Sequence, residues 1–396
     1  MSQELICHNP ELQRLQSEGF DIEIRDGLLI VHHIPYLNNK IEMLSGTLIM
    51  PLATSGINVV KPHNHTAYWI GEIPCNADGT GIPSLINSAT HHEFGGGLVS
   101  DYYLSCYPDA TKGYNNYYDK VIIYFNTISA AAQNYDHHRF SQLRSSIVSH
   151  SNTSILRYDD TNASRAGIVG INKRLTGYKV AIIGLGGTGA YLLDYLAKTE
   201  VAEIHLYDDD IFNTHNAFRA PGAPSIDILS LQPFKVDYFY DIYSQMHLGI
   251  IPHRVRITID NVNELDDKDM VFICVDCPYV RNYISSYLAE KQLPFIDSGM
   301  GLEFSNNSLT GLVRVTEGFY GHYNHLKDAY GDTNINVADD MYKSNIQIAE
   351  LNSLAATLSI IQWKKMIGIY NDYTNGSLNF IYSVAANTIT HQKYEN

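Results

Sequence analysis

The residues best placed to do chemistry are Gly184-Leu185-Gly186-Gly187-Thr188-Gly189. They follow the apolar run Lys179–Ile183 and precede a segment with helical spacing. Glycines at such a junction permit a tight turn and let a pyrophosphate or triphosphate approach the backbone. The N-terminus of the following helix then offers unsatisfied N–H groups to the anion. Asp208 ends the next apolar run 19 residues after Gly189, where a carboxylate can accept from a ribose hydroxyl. The glycines alone leave open whether the nucleotide is a dinucleotide or ATP. The polar residues that come next bear on that choice: Asp208 and Asp210, Asn216, Arg219, Lys235, and Asp276 in Cys274-Val275-Asp276-Cys277. Singly, Asn216 reads as a helix cap and Arg219 or Lys235 as an exposed charge. Together, in this order, they are hard to ascribe to chance.

In that order and spacing the chain resembles the ThiF/MoeB superfamily of ubiquitin-activating-like adenylyltransferases. The likeness rests on the glycine turn, Asp208-x-Asp210, Asn216-x-x-Arg219, a helical Lys235 and Asp276 at a strand tip, and runs from about 157 to 370. Arg281, five residues past Asp276, also falls where the family often has an arginine. The resemblance implies an ATP- and Mg-dependent enzyme that activates the C-terminal carboxylate of a ubiquitin-like or sulfur-carrier protein ending in glycine. It implies that Asp276 holds Mg²⁺, a hard cation suited to carboxylate and phosphate oxygens. Arg219 and Lys235 would neutralise phosphate charge, Asn216 would hydrogen-bond the phosphates, and Gly184, Gly186, Gly187, Gly189, Asp208 and Asp210 would cradle the nucleotide. It further implies a homodimer with an arginine inserted from the partner subunit, here Arg165, with Arg174 as the substitute. The rival readings are an NAD-dependent oxidoreductase on the same turn, which leaves Asn216, Arg219 and Lys235 without a role, and a non-catalytic scaffold.

The cysteines depart from the family. Cys274 and Cys277 have zinc-ligand spacing, but they flank Asp276 and no second pair follows, so Cys274 is expected as a buried strand residue. With no cysteine beyond Cys277, a thiol acceptor within this chain must come earlier. Cys75 stands ten residues after His65, past a Gly/Pro turn, and is the thiol to test for that role, with burial as an inert small hydrophobe the stronger reading. His63 and His65 are expected on one face of a strand. A zinc site built from them with His91, His92 and Glu93 is the weaker alternative to histidines satisfied by hydrogen bonds.

The elements that must position these residues follow from hydrophobic period. Short apolar runs at 179–184, 203–208, 253–259, 270–276 and 294–297 alternate with helical segments at 188–199, 232–246 and 279–291. That alternation argues for a Rossmann-like, doubly wound α/β sheet. Residues 301–316, broken at Asn306-Asn307, read as an antiparallel hairpin added to it, with a helix over 346–369 and a last strand near 378–384. The apolar stripe 348, 351, 354, 355, 358 and 361 is expected to be that helix's core face. Alternating runs at 27–31 and 47–50 and a helix over 117–132 mark a smaller α+β domain ahead of it. The boundary falls in the serine-rich, polar stretch 141–178, giving domains 1–150 and 151–396. Acidic residues outnumber basic ones 42 to 27, for a net charge of −15, which argues against nucleic acid as a partner. No segment has the apolar length of a membrane span, and five scattered cysteines do not make a disulfide framework. The reading is a cytoplasmic protein.

Overall fold

The two hydrophobic textures fold as two units, Met1–Ile171 and Asn172–Asn396, and the division falls inside the polar stretch 141–178. The computed structural model describes residues 2–83, 85–95, 97–107, 113–144, 154–158, 160–166, 168–305, 307–319, 321–323, 325–326, 347–373 and 377–393. Most of the serine-rich run, Asn306 and the expected opening of the last helix at 345–346 lie outside the described residues.

The first unit is α+β. Its six-stranded sheet runs in the order Asp21–Arg25, Leu28–Leu37, Met43–Pro51, Thr66–Ile70, Tyr102–Ser105, Ile86–Ser88, with every neighbouring pair antiparallel. One face packs on the helix Tyr117–Tyr135, which starts where Asn116 accepts from Asp119 N at 2.7 Å. Lys120 on that helix is buried, and its Nζ donates to Thr66 O at 2.7 Å and Asn64 O at 3.2 Å. His63 and His65 precede the strand Thr66–Ile70 rather than sharing a face of it. The Asn64 carbonyl between them is bonded by Lys120 Nζ instead of by a neighbouring strand.

The second unit is the doubly wound sheet. Strand order is Ile250–His253, Glu203–Tyr207, Lys179–Ile183, Met270–Ile273, Phe295–Ser305, Ser308–Gly318, Ser377–Ser383, Thr388–Lys393. The first five are parallel neighbours and the last three join by antiparallel pairing. The run Lys179–Ile183 is continuously apolar because both its faces are covered. Val180 and Ile182 share a core with Leu193, Leu196, Phe239 and Trp363. Ala181 and Ile183 share another with Ile284 and Leu288. Helices Thr188–Leu196, Lys235–Tyr243 and Ala349–Met366 therefore lie over one face, and Pro278–Glu290 over the other.

Several boundaries differ from the sequence expectation. The helix expected from 232 begins at Lys235, because Gln232 adopts a left-handed conformation (φ 47°) that closes the preceding helix Ile226–Leu231. The strand expected at 253–259 is Ile250–His253, since its partner Glu203–Tyr207 ends in register with His253. The last strand Thr388–Lys393, too polar to stand out, pairs with Ser377–Ser383. The helix Ala349–Met366 buries Leu351 and Ala355 as expected, but also Asn352, Ala356, Ser359, Ile360, Gln362 and Trp363, while 354, 358 and 361 are half-buried. Its face is turned by about one residue, so that polar side chains enter the interior.

Candidate functional site

Three strands end side by side at one cavity of about 540 Å³. Lys179–Ile183 leads into the glycine turn, Glu203–Tyr207 into Asp208, and Met270–Ile273 into Cys274–Cys277. The chain runs outward from the first strand to one side, then returns to its other side at Met270–Ile273. Such a reversal leaves a crevice at the carboxyl ends of the strands, where ligands of open α/β sheets bind.

The glycines are needed for different reasons. Gly184 has φ +88°, and a Cβ there would lie 3.0 Å from the Cys274 carbonyl oxygen. A Cβ on Gly187 would run into the Asn352 side chain, and one on Gly189 into the Gly184 carbonyl. Gly189 thus lets the helix Thr188–Leu196 start hard against the turn, without itself lining the cavity.

Asp208 is 8% exposed yet borders the cavity. Its carboxylate accepts from Leu185 N at 2.7 Å and from Asp210 N at 2.9 Å, so it pins the glycine turn from the neighbouring strand. Lys235, at the start of its helix and 6% exposed, brings Nζ to 2.7 Å from Asp210 and 3.3 Å from Asp208. Burial pushes the Asp208 carboxyl above the ordinary carboxylate range, and Lys235 and the two backbone donors pull against it. At Asp210 partial burial also acts upward, but the hydrogen bond and charge of Lys235 win and the pKa is lowered. Arg256 Nε donates to Asp209 at 3.1 Å. Asp208, Asp209 and Asp210 are the one acidic group among the described residues close enough to share a metal ion, but Lys235 and Arg256 already pair with all three.

Asp276 is exposed and lines the cavity, one strand over from the glycine turn. It makes no hydrogen bond or ion pair among the described residues. Its electrostatic neighbour is Arg219, whose pKa burial lowers while Asp276, Asp210 and Asp208 hold it up. Asn216 is buried and outside the lining: its Oδ1 accepts from Asn213 N at 2.9 Å as a cap, and its Nδ2 has no partner. Arg219 Nε and Asn352 Nδ2 are likewise buried without a hydrogen-bond partner, and both residues line the cavity. Buried donors are rarely left unpaired, so unpaired donors at a cavity mark where an acceptor belongs.

Of the residues singled out in the sequence, Gly184, Gly186, Gly187, Asp208, Asp210, Arg219, Lys235 and Asp276 come together on this cavity. Cys274, expected inside a strand, stands one residue past Ile273, half-buried and lining the cavity, with burial pushing its thiol up to about 12. Arg165 falls in the short helix Thr161–Ala166 of the first unit, and its side chain lies outside the described residues. Arg174 donates to the Gly368 carbonyl. Cys75 is 1% exposed, its backbone is bridged to Leu37 and Gly81, and its Sγ lies 3.3 Å from Ile73 O. Burial, then Asp78 and Glu72, raise its pKa. A thiol acceptor needs an exposed sulfur with a lowered pKa, and Cys75 has neither. His65 stacks on Tyr107 and His92 on Tyr68, so these rings are packed among aromatics rather than gathered around a metal.

Sequence reading missed Asn352, Asp297 and Arg314. Asn352 lines the cavity and accepts from Thr188 Oγ1 at 3.0 Å, and its Nδ2 is buried beside Gly187 without a hydrogen-bond partner. Its only signal was an asparagine inside an apolar helix face. Asp297 is fully buried between Arg281 and Arg314, both of which line the cavity.

Residues 160–388 match the model of the ThiF family, and residues 10–161 match a domain of unknown function, DUF6791. Adenylyltransferase and sulfurtransferase UBA4 of Lodderomyces elongisporus is 31% identical over 122 residues, 30% of this chain and 26% of that protein. Ubiquitin-like modifier-activating enzyme 5 of Mus musculus is 24% identical over 163 residues, 38% of this chain and 39% of that one. The matches therefore span well under half the length of these relatives. Among solved structures, E. coli MccB with ATP aligns over 78% of this chain and 95% of its own at 17% identity, with a TM-score of 0.46.

Proposed function

The chain belongs to the ThiF family, and from that premise we propose that it is an ATP- and Mg-dependent adenylyltransferase acting on the C-terminal carboxylate of a ubiquitin-like or sulfur-carrier protein that ends in glycine. The observation that carries this reading is the pair of buried, unpartnered donors Arg219 Nε and Asn352 Nδ2, on residues that line the cavity with Lys235 beside the glycine turn. An NAD-dependent oxidoreductase needs the turn and Asp208 but gives these cationic and amide groups nothing to do. A non-catalytic scaffold has no use for buried donors held unpaired.

In adenylation a carboxylate oxygen bonds to the α-phosphorus of ATP, the bond to the β-phosphate oxygen breaks, and pyrophosphate leaves with the electron pair. No proton has to be abstracted, so the protein's work is positioning and charge neutralisation. Gly184, Gly186, Gly187 and Gly189 let the backbone approach the phosphates at the start of the helix Thr188–Leu196. Asn352 donates to phosphate oxygens, Asn216 caps the short helix just ahead of Arg219, and Arg219 and Lys235 offset the charge that pyrophosphate carries away. Asp208 holds the turn in shape, and with Asp210 it faces the ribose. Asp276, an exposed carboxylate with no cation bonded to it among the described residues, would hold magnesium, which when bound would supply charge neutralisation at phosphate oxygens.

We assign residues 1–150 to recognising or receiving the carrier and 151–396 to adenylation. Phe218, Ile226 and Leu231 are 80%, 82% and 79% exposed, which supports a homodimer packed through this edge. Arg165 would then reach the partner's phosphates. No helix among the described residues is long and apolar enough to cross a membrane, and all five cysteines are free, which fits a cytoplasmic protein.

The test is isothermal titration with ATP–Mg²⁺ and, separately, NAD, followed by pyrophosphate exchange in the presence of glycine-terminated carrier proteins. ATP binding with carrier-dependent exchange supports the reading. Tight NAD binding with no ATP binding sinks it.

A further inference from the structure

Three rings and a carboxylate form one array on the sheet, outside the polar residues already described. On the strand Glu203–Tyr207 the side chains of residues 203, 205 and 207 share a face, and Tyr207 lies across from His253 at the end of the edge strand Ile250–His253. His205 Nε2 lies 2.9 Å from Glu203 Oε2, and His205 Nδ1 lies 3.0 Å from His253 Nε2. His253 stacks on Tyr207, with ring centroids 4.3 Å apart and planes 5° from parallel. His205 and Tyr207 are buried, and Tyr207 lines the cavity. The Tyr207 carbonyl accepts from Gly184 N at 2.9 Å, and the His253 carbonyl accepts from Asp208 N at 3.4 Å. The array is thereby tied to the glycine turn and to Asp208.

The partners fix where the protons are. The hydrogen bond to His205, helped by Lys179, holds the Glu203 carboxyl below the ordinary range. A carboxylate only accepts, so His205 carries its hydrogen on Nε2. Its Nδ1 is then bare and accepts, so His253 carries its hydrogen on Nε2. A further proton has one place to go, His253 Nδ1. A second would put two N–H groups face to face at 3.0 Å, and the bond between the rings would break.

The charges around the pair decide how readily those protons arrive. Lys179 lies 3.3 Å from Glu203 and 3.7 Å from Asp267. Lys268, buried, is bonded to Asp267, and the charges of Glu264 and Asp267 act on Tyr207. On the helix Pro278–Glu290, Arg281 pairs with Asp297, and just past its end Lys291 pairs with Asp266. The helix Lys235–Tyr243 covers the opposite face, and its Asp237 takes Arg254 at 2.7 Å. Burial holds both rings below the ordinary histidine range. At His253 the His205 ring and Lys268 add to this, while at His205 the hydrogen bond to Glu203 pulls the other way.

We propose that His253 is a positioning residue for the nucleotide cavity: bonded to His205 and stacked on Tyr207, it clamps the edge strand to the strand that carries Asp208, and proton uptake by the pair opens the clamp and weakens nucleotide binding. This rests on the reading of the cavity as an ATP site. Neither ring meets the ligand; they act through the carbonyls that hold Gly184 and Asp208, and through Arg256 and Ile257, which follow the edge strand and line the cavity. Because burial holds both rings neutral, the clamp is complete above the ordinary histidine value of about 6.5 and is lost as pH falls through the lower native value.

The experiment is titration of the full chain with ATP–Mg²⁺ at about pH 7.5 and about pH 5, in wild type, H253A and H253Q. Glutamine offers an N–H near the place of Nε2 and does not titrate, so it keeps the bond to His205 without the proton site. Protonation of ATP itself is common to all three and cancels in the comparison. At the higher pH H253A should bind about tenfold more weakly than wild type, and H253Q should recover most of that loss. At the lower pH wild type should lose at least about tenfold more affinity than H253Q does. Amide hydrogen exchange without nucleotide, at the lower pH, should be faster over residues 203–208 in wild type than in H253Q. The proposal is overturned if wild type and H253Q lose affinity equally in acid, if H253Q is as weak as H253A at the higher pH, or if the two exchange alike. A wild type that shows the exchange difference yet binds no ATP at either pH would sink the ATP reading and leave the clamp standing.

Discussion

Replacing Lys235 with glutamine removes the one cation bonded to Asp208. Its Nζ lies 3.3 Å from Asp208 and 2.7 Å from Asp210, and Lys235 and Asp208 are 6% and 8% exposed. Taking one partner from a buried pair costs about 3–5 kcal/mol, because the other charge stays in a poor solvent. Asp208 keeps backbone donors at 2.7 and 2.9 Å, so the lower end applies, about 3 kcal/mol. For a unit of this size that is a Tm drop of about 6–12 °C. The sign with pH follows from Asp208. Burial already raises its pKa against the pull of Lys235, and without the lysine it rises further. The native state then holds the proton to higher pH than the unfolded chain, and stability falls as pH climbs from the ordinary carboxylate range through the raised value. The Tm deficit of K235Q should therefore be small near about pH 4.5 and full near about pH 8. Circular dichroism melts of both proteins, without nucleotide, read this directly, and the pyrophosphate exchange rate should fall about 10²–10³-fold. An equal deficit at both pH values, or none, would refute the claim that Lys235 is there to hold a buried carboxylate.

Asp276→Ala should abolish pyrophosphate exchange while shifting Tm by no more than about 1–2 °C, since an exposed strand-tip carboxylate packs against nothing; a destabilised or still active variant would count against a metal role. Glu317 is 4% exposed, and burial pushes its carboxyl from 4.5 up to about 7, against a hydrogen bond from Gln362. That raised value means stability lost as pH rises through the interval, on the order of 3 kcal/mol. Glu317→Gln should thus melt higher than wild type near about pH 8 and not near about pH 5, and a gain at both would show packing rather than charge. Cys75 should resist alkylation in the native protein while exposed Cys7 reacts, by mass spectrometry of iodoacetamide-treated samples; labelling of Cys75 as fast as Cys7 would reopen its candidacy as an acceptor.

The sequence by itself determined the alternation of strands and helices and the glycine-turn side of the cavity. A continuous apolar strand, a glycine turn and a helix are consecutive in the chain, and so are Asp208, Asp210, Asn216 and Arg219. Local order and hydrophobic period, which the chain carries directly, are enough to place them. It also determined that a doubly wound α/β unit follows a differently built α+β unit, because the two halves have different periods. What only the tertiary structure decided was every pairing across the sheet. Asp297 reads in the sequence as the end of a short strand; that it braces Arg281 from a helix and Arg314 from a neighbouring strand depends on antiparallel register. Asn352 reads as a blemish in an apolar stripe until its helix is laid beside Gly187, 165 residues earlier in the chain, where it meets Thr188. For Cys75 the sequence held burial as an inert small hydrophobe against a thiol acceptor in a Gly/Pro-bounded turn, and the structure buries it, with backbone bridges to Leu37 and Gly81. Burial and charge partnership are properties of what surrounds a side chain, and the surroundings here come from residues distant in sequence.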